Sequence, residues 1–198
     1  IHGNKWFGKY PLGWPMLLSA GTAAGADWLV NPMLALVLLF LTYRIGRIVF
    51  GETVAWLIVA ILAFSAFFLD QGSSFLSHVS CGVFIAAAFW LLLVWRSQAS
   101  KSALALMLVC VACACSIRPF TTACVTPVYV FGALAPLKNG RGKLLWIAAG
   151  AALTAVLFAG ILLGMNRIMT GGYRLSPYAL YRGTELPPEI SLNPITIL

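Results

Sequence analysis

The chain has 198 residues, of which 61% are hydrophobic and 9% charged, with a net charge of +8 and a mean hydropathy of +0.94. A water-soluble domain is about half apolar and about a quarter charged, so this composition points to an integral membrane protein. The cations sit at the ends of apolar stretches rather than on one solvated face, which excludes a nucleic-acid surface.

The segment 1–27 differs in character from the rest of the chain. It opens with Lys5-Trp6-Phe7-Gly8-Lys9-Tyr10-Pro11-Leu12-Gly13-Trp14-Pro15. Trp and Tyr favour the membrane–water interface. Pro11 and Pro15, with Gly8 and Gly13, exclude one continuous helix here. Pro15 is suited to open a short helix through 16–25. That helix is too short to span, so it reads as an interfacial or re-entrant element.

Six apolar stretches come next: 28–43, 53–69, 75–95, 102–117, 120–137 and 144–165. The first begins at Asn31-Pro32, and snorkelling Arg44 and Arg47 extend it through Phe50. Gly51-Glu52 is a tight turn. Asp70-Gln71-Gly72-Ser73-Ser74 reads as a polar turn leading to Ser77 and His78. Pro119 forces a break after Arg118. Lys138-Asn139-Gly140-Arg141-Gly142-Lys143 is a basic loop, and a polar tail, 167–198, succeeds the last stretch.

The first, third and fifth junctions carry Arg44 and Arg47, then Arg96 and Lys101, then Lys138, Arg141 and Lys143. The second and fourth junctions share a single cation, Arg118. Lys- and Arg-rich loops stay cytoplasmic. The pattern therefore predicts an all-α bundle of about six spans over 28–166, with both termini and the 70–77 and Arg118 junctions on the outer face. Gly21 and Gly25, Gly160 and Gly164, and the small residues of 148–152 predict close helix approach within the bundle.

Cys81, Cys110, Cys113, Cys115 and Cys124 all lie in or beside apolar stretches. No His or carboxylate flanks the group of three, so they read as small packing residues and no metal ligands are assigned.

Lys9-Tyr10-Pro11-Leu12-Gly13-Trp14-Pro15, Leu29-Val30-Asn31-Pro32, Phe75-Leu76-Ser77-His78 and Ile117-Arg118-Pro119 occur in the order found in bacterial GT-C membrane glycosyltransferases. The sequence resembles the protein-mannosyltransferase and RgtA/B/C/D-like group, and Thr170-Gly171 with Ser176-Pro177-Tyr178 and Tyr181 extends the likeness into the tail. The resemblance implies transfer of a sugar from a polyprenyl-phosphate donor to a lipid, glycan or protein at the outer face of the bacterial inner membrane. It also implies an acidic residue in the first outer loop, after the first span. Neither Asp27 nor Asp70 occupies that place. The chain opens on Ile1, and the expectation is a piece whose catalytic acid lies upstream. A divalent cation is compatible with this chemistry; no residues here are assigned to one.

Phosphate leaving groups need cations aimed at the charge they gain. Arg118 is either such a phosphate ligand or a snorkelling span-end arginine. Lys9 is either a second ligand or an anchor among aromatics. His78 is either a phosphate ligand or an interfacial histidine. Tyr10, Asp70, Ser77 and Tyr178 are candidate substrate contacts. The rival reading is a multi-span transporter or lipid-binding protein without catalysis. Transporters place polar sites near the bilayer midplane, whereas the span interiors here carry no charge.

Overall fold

A computed structural model describes residues 11–134 and 141–180, without the side chains of 134, 141–151, 153–155 and 157. The described residues fold into eight α-helices: α1 (Gly13–Ala23), α2 (Asp27–Phe50), α3 (Glu52–Ala63), α4 (Ala66–Ser73), α5 (His78–Gln98), α6 (Lys101–Ile117), α7 (Pro119–Leu134) and α8 (Arg141–Thr170). No strand occurs among them. In a bilayer only helices and closed barrels satisfy every backbone group, so an all-helical result accords with the composition.

Among the described residues two helices, α2 and α5, are long and apolar enough to cross a membrane. At about 1.5 Å per residue they run to roughly 36 and 32 Å, against an apolar core of about 30 Å. The pair α3 and α4 passes the same test together, although it is bent by 65°. Helix α6, with 17 residues, is apolar but shorter.

Local chemistry explains several helix ends. Asp27 sits in the first turn of α2, where a carboxylate complements the helix dipole. Gly51, at φ 88°, ends α2 and starts α3, a conformation that disfavours any residue with a Cβ. Ser100 caps α6 by accepting a hydrogen bond from the amide of Ala103. Residues 70–73, expected in a turn, are helical instead. Phe68, Gln71 and Gly72 are buried, and a Cβ at Gly72 would lie 3.3 Å from that of Ala35 on α2. Packing against α2 thus carries α4 through polar residues. The non-helical stretch shrinks to 74–77.

Helix α5 lies at the centre. Ala88 and Leu92 of α5 pack with Met107 of α6 and Tyr129 of α7. The Tyr129 hydroxyl donates to the Ile85 carbonyl at 2.8 Å, and Trp95 donates to the Ala133 carbonyl at 3.1 Å. Ala35, Phe68 and Val79 join α2, α4 and α5. Toward the other end of α2, the Arg44 guanidinium stacks on Phe40 and on Trp90 of α5, with its carbon 5.8 and 5.2 Å from the ring centres.

The glycine expectations divide. Gly21 packs directly against Val30, joining α1 to α2. Gly25 is instead a turn residue at φ 68°. Gly160 and Gly164 face no neighbour, so the close approach expected of them is absent within the described structure. The segment 148–152 lies largely outside the described side chains.

One residue adopts a costly conformation. Ala99 ends α5 in the left-handed region, at φ 51° and ψ 30°. Ala99→Gly should therefore stabilise the protein, by about 0.5–1 kcal/mol after the extra entropy of an unfolded glycine. Thermal unfolding in detergent should show a raised midpoint; an unchanged or lowered one would contradict this account.

Candidate functional site

One end of the bundle gathers the N-termini of α2, α5 and α7, the C-termini of α4 and α6, and helix α1. Helix α1 is seated there by Gly13, where an added Cβ would come within 2.7 Å of the Ser116 backbone.

Arg118 is the residue between α6 and α7. Pro119 disfavours the helical conformation in the residue before it. Arg118 accordingly leaves the helix at φ −141° and ψ 84°. Its backbone is held from both sides. Its amide donates to the Ala114 carbonyl at 2.8 Å. Its carbonyl accepts from the Thr122 amide at 3.0 Å and from the Thr122 hydroxyl at 2.9 Å. Thr122 is fully buried.

From this fixed base the half-buried guanidinium reaches His78, the first residue of α5. An Arg118 terminal nitrogen is hydrogen-bonded to His78 Nδ1, across 40 positions of sequence. A guanidinium has donors and no acceptor, so Nδ1 must be the acceptor. Such a bond requires a neutral ring with its proton on Nε2. No ion pair engages Arg118 among the described residues, so no described carboxylate cancels its charge.

Ser77 precedes His78 at the N-cap position of α5, and its hydroxyl makes no capping bond. Its carbonyl accepts from the Cys81 amide at 3.2 Å and the Ser80 hydroxyl at 3.0 Å. Asp70 is exposed in the last turn of α4, where its carboxylate accepts from the Gln71 side chain at 3.0 Å. Asp27 accepts from the amide of the adjacent Trp28 at 3.0 Å. Tyr178 lies exposed beyond α8. Lys9 and Tyr10 fall outside the described residues. Of the expected site residues, the structure thus joins Arg118 and His78 directly and sets Ser77 beside them in the chain.

All five cysteines are free thiols. Among the described residues no group of three or more His, Cys, Asp or Glu side chains is assembled. Sequence reasoning does not single out Thr122, Asn31 or Trp14 as site residues. Asn31 is 3% exposed. Its signal is a polar residue on an apolar helix, ahead of a proline, which by itself marks only where the span begins.

No protein-family model, characterised protein or solved structure matches this chain.

Thr122→Val keeps the shape of the side chain and removes one of the two bonds to the Arg118 carbonyl. A loss of about 1 kcal/mol is expected, because the amide bond remains and leaves that carbonyl satisfied. Chemical unfolding in micelles measures it. Full wild-type stability would show that the hydroxyl does not hold Arg118.

Proposed function

We propose that this protein is a membrane glycosyltransferase of the GT-C type. It takes a sugar from a polyprenyl-phosphate donor at the outer face of the bacterial inner membrane and passes it to a lipid, glycan or protein. The observation that carries this reading is the Arg118–His78 pair. It presents a guanidinium with no ion-pair partner among the described residues, at the end of a bundle whose flanks expose Phe40, Ile61, Phe64 and Phe67.

Breaking the bond between sugar and phosphate leaves negative charge on the phosphate. Arg118 offers a planar fork of N–H donors that suits phosphate oxygens. Its bond to His78 limits the motion of the fork, so little reorganisation is needed as charge develops. The Nε2–H of His78 is a further donor at the same place. The polyprenyl chain would lie along the exposed apolar flanks, with its phosphate at the membrane boundary.

The topology in this reading has six spans, with both termini outside. It is motivated by seven cations on three alternate junctions against one on the other two. Single cysteines at Ser73 and Asn139, in a background without native thiols, provide the check. An impermeant reagent added outside should label the first and not the second. The reverse pattern would overturn the orientation.

Transfer from a polyprenyl-phosphate sugar in liposomes tests the chemistry, in the natural protein that carries this sequence. Arg118→Ala should lose about 10²–10³-fold in turnover, the scale for removing a preorganised donor. Arg118→Lys keeps the charge without the fork and should recover only part of it. Wild-type turnover by folded, inserted Arg118→Ala would reduce Arg118 to an anchor. Donor binding without transfer would favour a lipid-binding protein instead.

A further inference from the structure

The 74–77 loop, which delivers His78 to Arg118, is held in an unusual way. Its apolar side chains do not anchor it: Phe75 is 55% exposed and Leu76 47%. Its carbonyls do. The Asn31 side-chain amide, from α2, donates to the carbonyls of Ser74 and of Leu76, the latter at 2.9 Å. The Trp14 indole, from α1, donates to the intervening carbonyl of Phe75 at 2.8 Å. Three consecutive carbonyls are thus tied by two side chains from two other helices.

Both donors are themselves fixed. Asn31 is buried, so its amide has no water to turn to. The ring of Trp14 packs on the cluster of Cys81, Ala114 and Ile117, contributed by α5 and α6. Ile117 adjoins Arg118, and Cys81 lies one turn from His78. Trp14 therefore packs where the two helices whose ends carry the pair meet, while holding the loop between α4 and α5.

We infer that Asn31 and Trp14 are positioning residues, which set His78 opposite Arg118 by clamping the carbonyls of residues 74, 75 and 76. Neither hydrogen-bonds to the pair itself. Their action passes through the backbone into the first turn of α5. The consequence for donor binding rests on the function proposed above; the clamp itself does not.

The test reads the His78 ring directly. The chain has only two histidines, so ¹⁵N-histidine labelling with a His2→Gln background isolates one ring. Asn31→Asp replaces the two N–H donors with an oxygen facing two carbonyls at nearly constant volume. Trp14→Phe removes the indole N–H and keeps an aromatic ring in the cluster. Arg118→Ala supplies the resonance of an Nδ1 without its donor. Both clamp variants should move the Nδ1 resonance toward that position, and the double variant should move it further than either. Thr42→Val is the control for general loosening: it removes a hydroxyl that donates to the Leu38 carbonyl at 2.8 Å on the same helix α2. It should leave the resonance in place. The inference falls if both clamp variants keep the wild-type resonance while Arg118→Ala moves it. It falls equally if Thr42→Val moves it as far as they do, or if Arg118→Ala leaves it unmoved. A clamp that passes this test in a protein that transfers no sugar would overturn the proposed function alone.

Discussion

Inside a membrane a helix satisfies its own backbone, and every break in a helix leaves carbonyls and amides to be answered by something else. The organisation of this protein depends on where its breaks fall and what answers them. At the 74–77 loop the answers come from Asn31 and Trp14. At Arg118 they come from Thr122, through both its amide and its hydroxyl. A structure that must supply polar partners at such places also concentrates polar chemistry there. The same end consequently carries a guanidinium and an imidazole in contact.

How much of this is legible in the residues depends on the range of the force involved. Gly51 and the pair Arg118-Pro119 act through their own backbone sterics, and both breaks lie where those residues stand. The extension of α2 to Phe50 accords with aliphatic stems beneath Arg44 and Arg47. Helix α4 is not legible. Gln71 and Gly72 look like turn residues until Ala35 of a distant helix packs against Gly72. Nor is the break near Phe64 and Ser65, where no proline stands and only the fold decides. Gly160 and Gly164 show the reverse error: a spacing suited to packing that meets no neighbour among the described residues. Charge counting puts His78 and Arg118 at one membrane face, but their direct contact needs the tertiary structure. Asn31 reads as punctuation because its partners, 43 and 45 residues away, cannot be inferred from its own surroundings.

The two ends of the central helices are stabilised by different physics. Near Arg44 the guanidinium lies against the faces of Phe40 and Trp90, an attraction between charge and aromatic quadrupole that tolerates sliding. At the Arg118 end the contacts are directional hydrogen bonds, which fix angle as well as distance. Buried side-chain atoms without a hydrogen-bond partner among the described residues occur at both ends: Arg44 Nε and Trp90 Nε1 at one, Asn31 Oδ1 and Gln71 Oε1 at the other.

The bend between α3 and α4 has a mechanical consequence for the surrounding lipid. Twelve residues run along one direction and eight turn away by 65°. Their combined reach along α3 is only about 23 Å, against an apolar thickness of about 30 Å. Phe64 and Phe67, 86% and 70% exposed at the corner, keep that flank greasy up to the bend. Where this side crosses a bilayer, the column is shorter than the apolar layer, a mismatch that local thinning, snorkelling or oligomerisation relieves. Local thinning would draw headgroups down beside this flank. An amphiphile diffusing in the leaflet would find its polar end already lowered there, at a dimple formed by the shape of the protein.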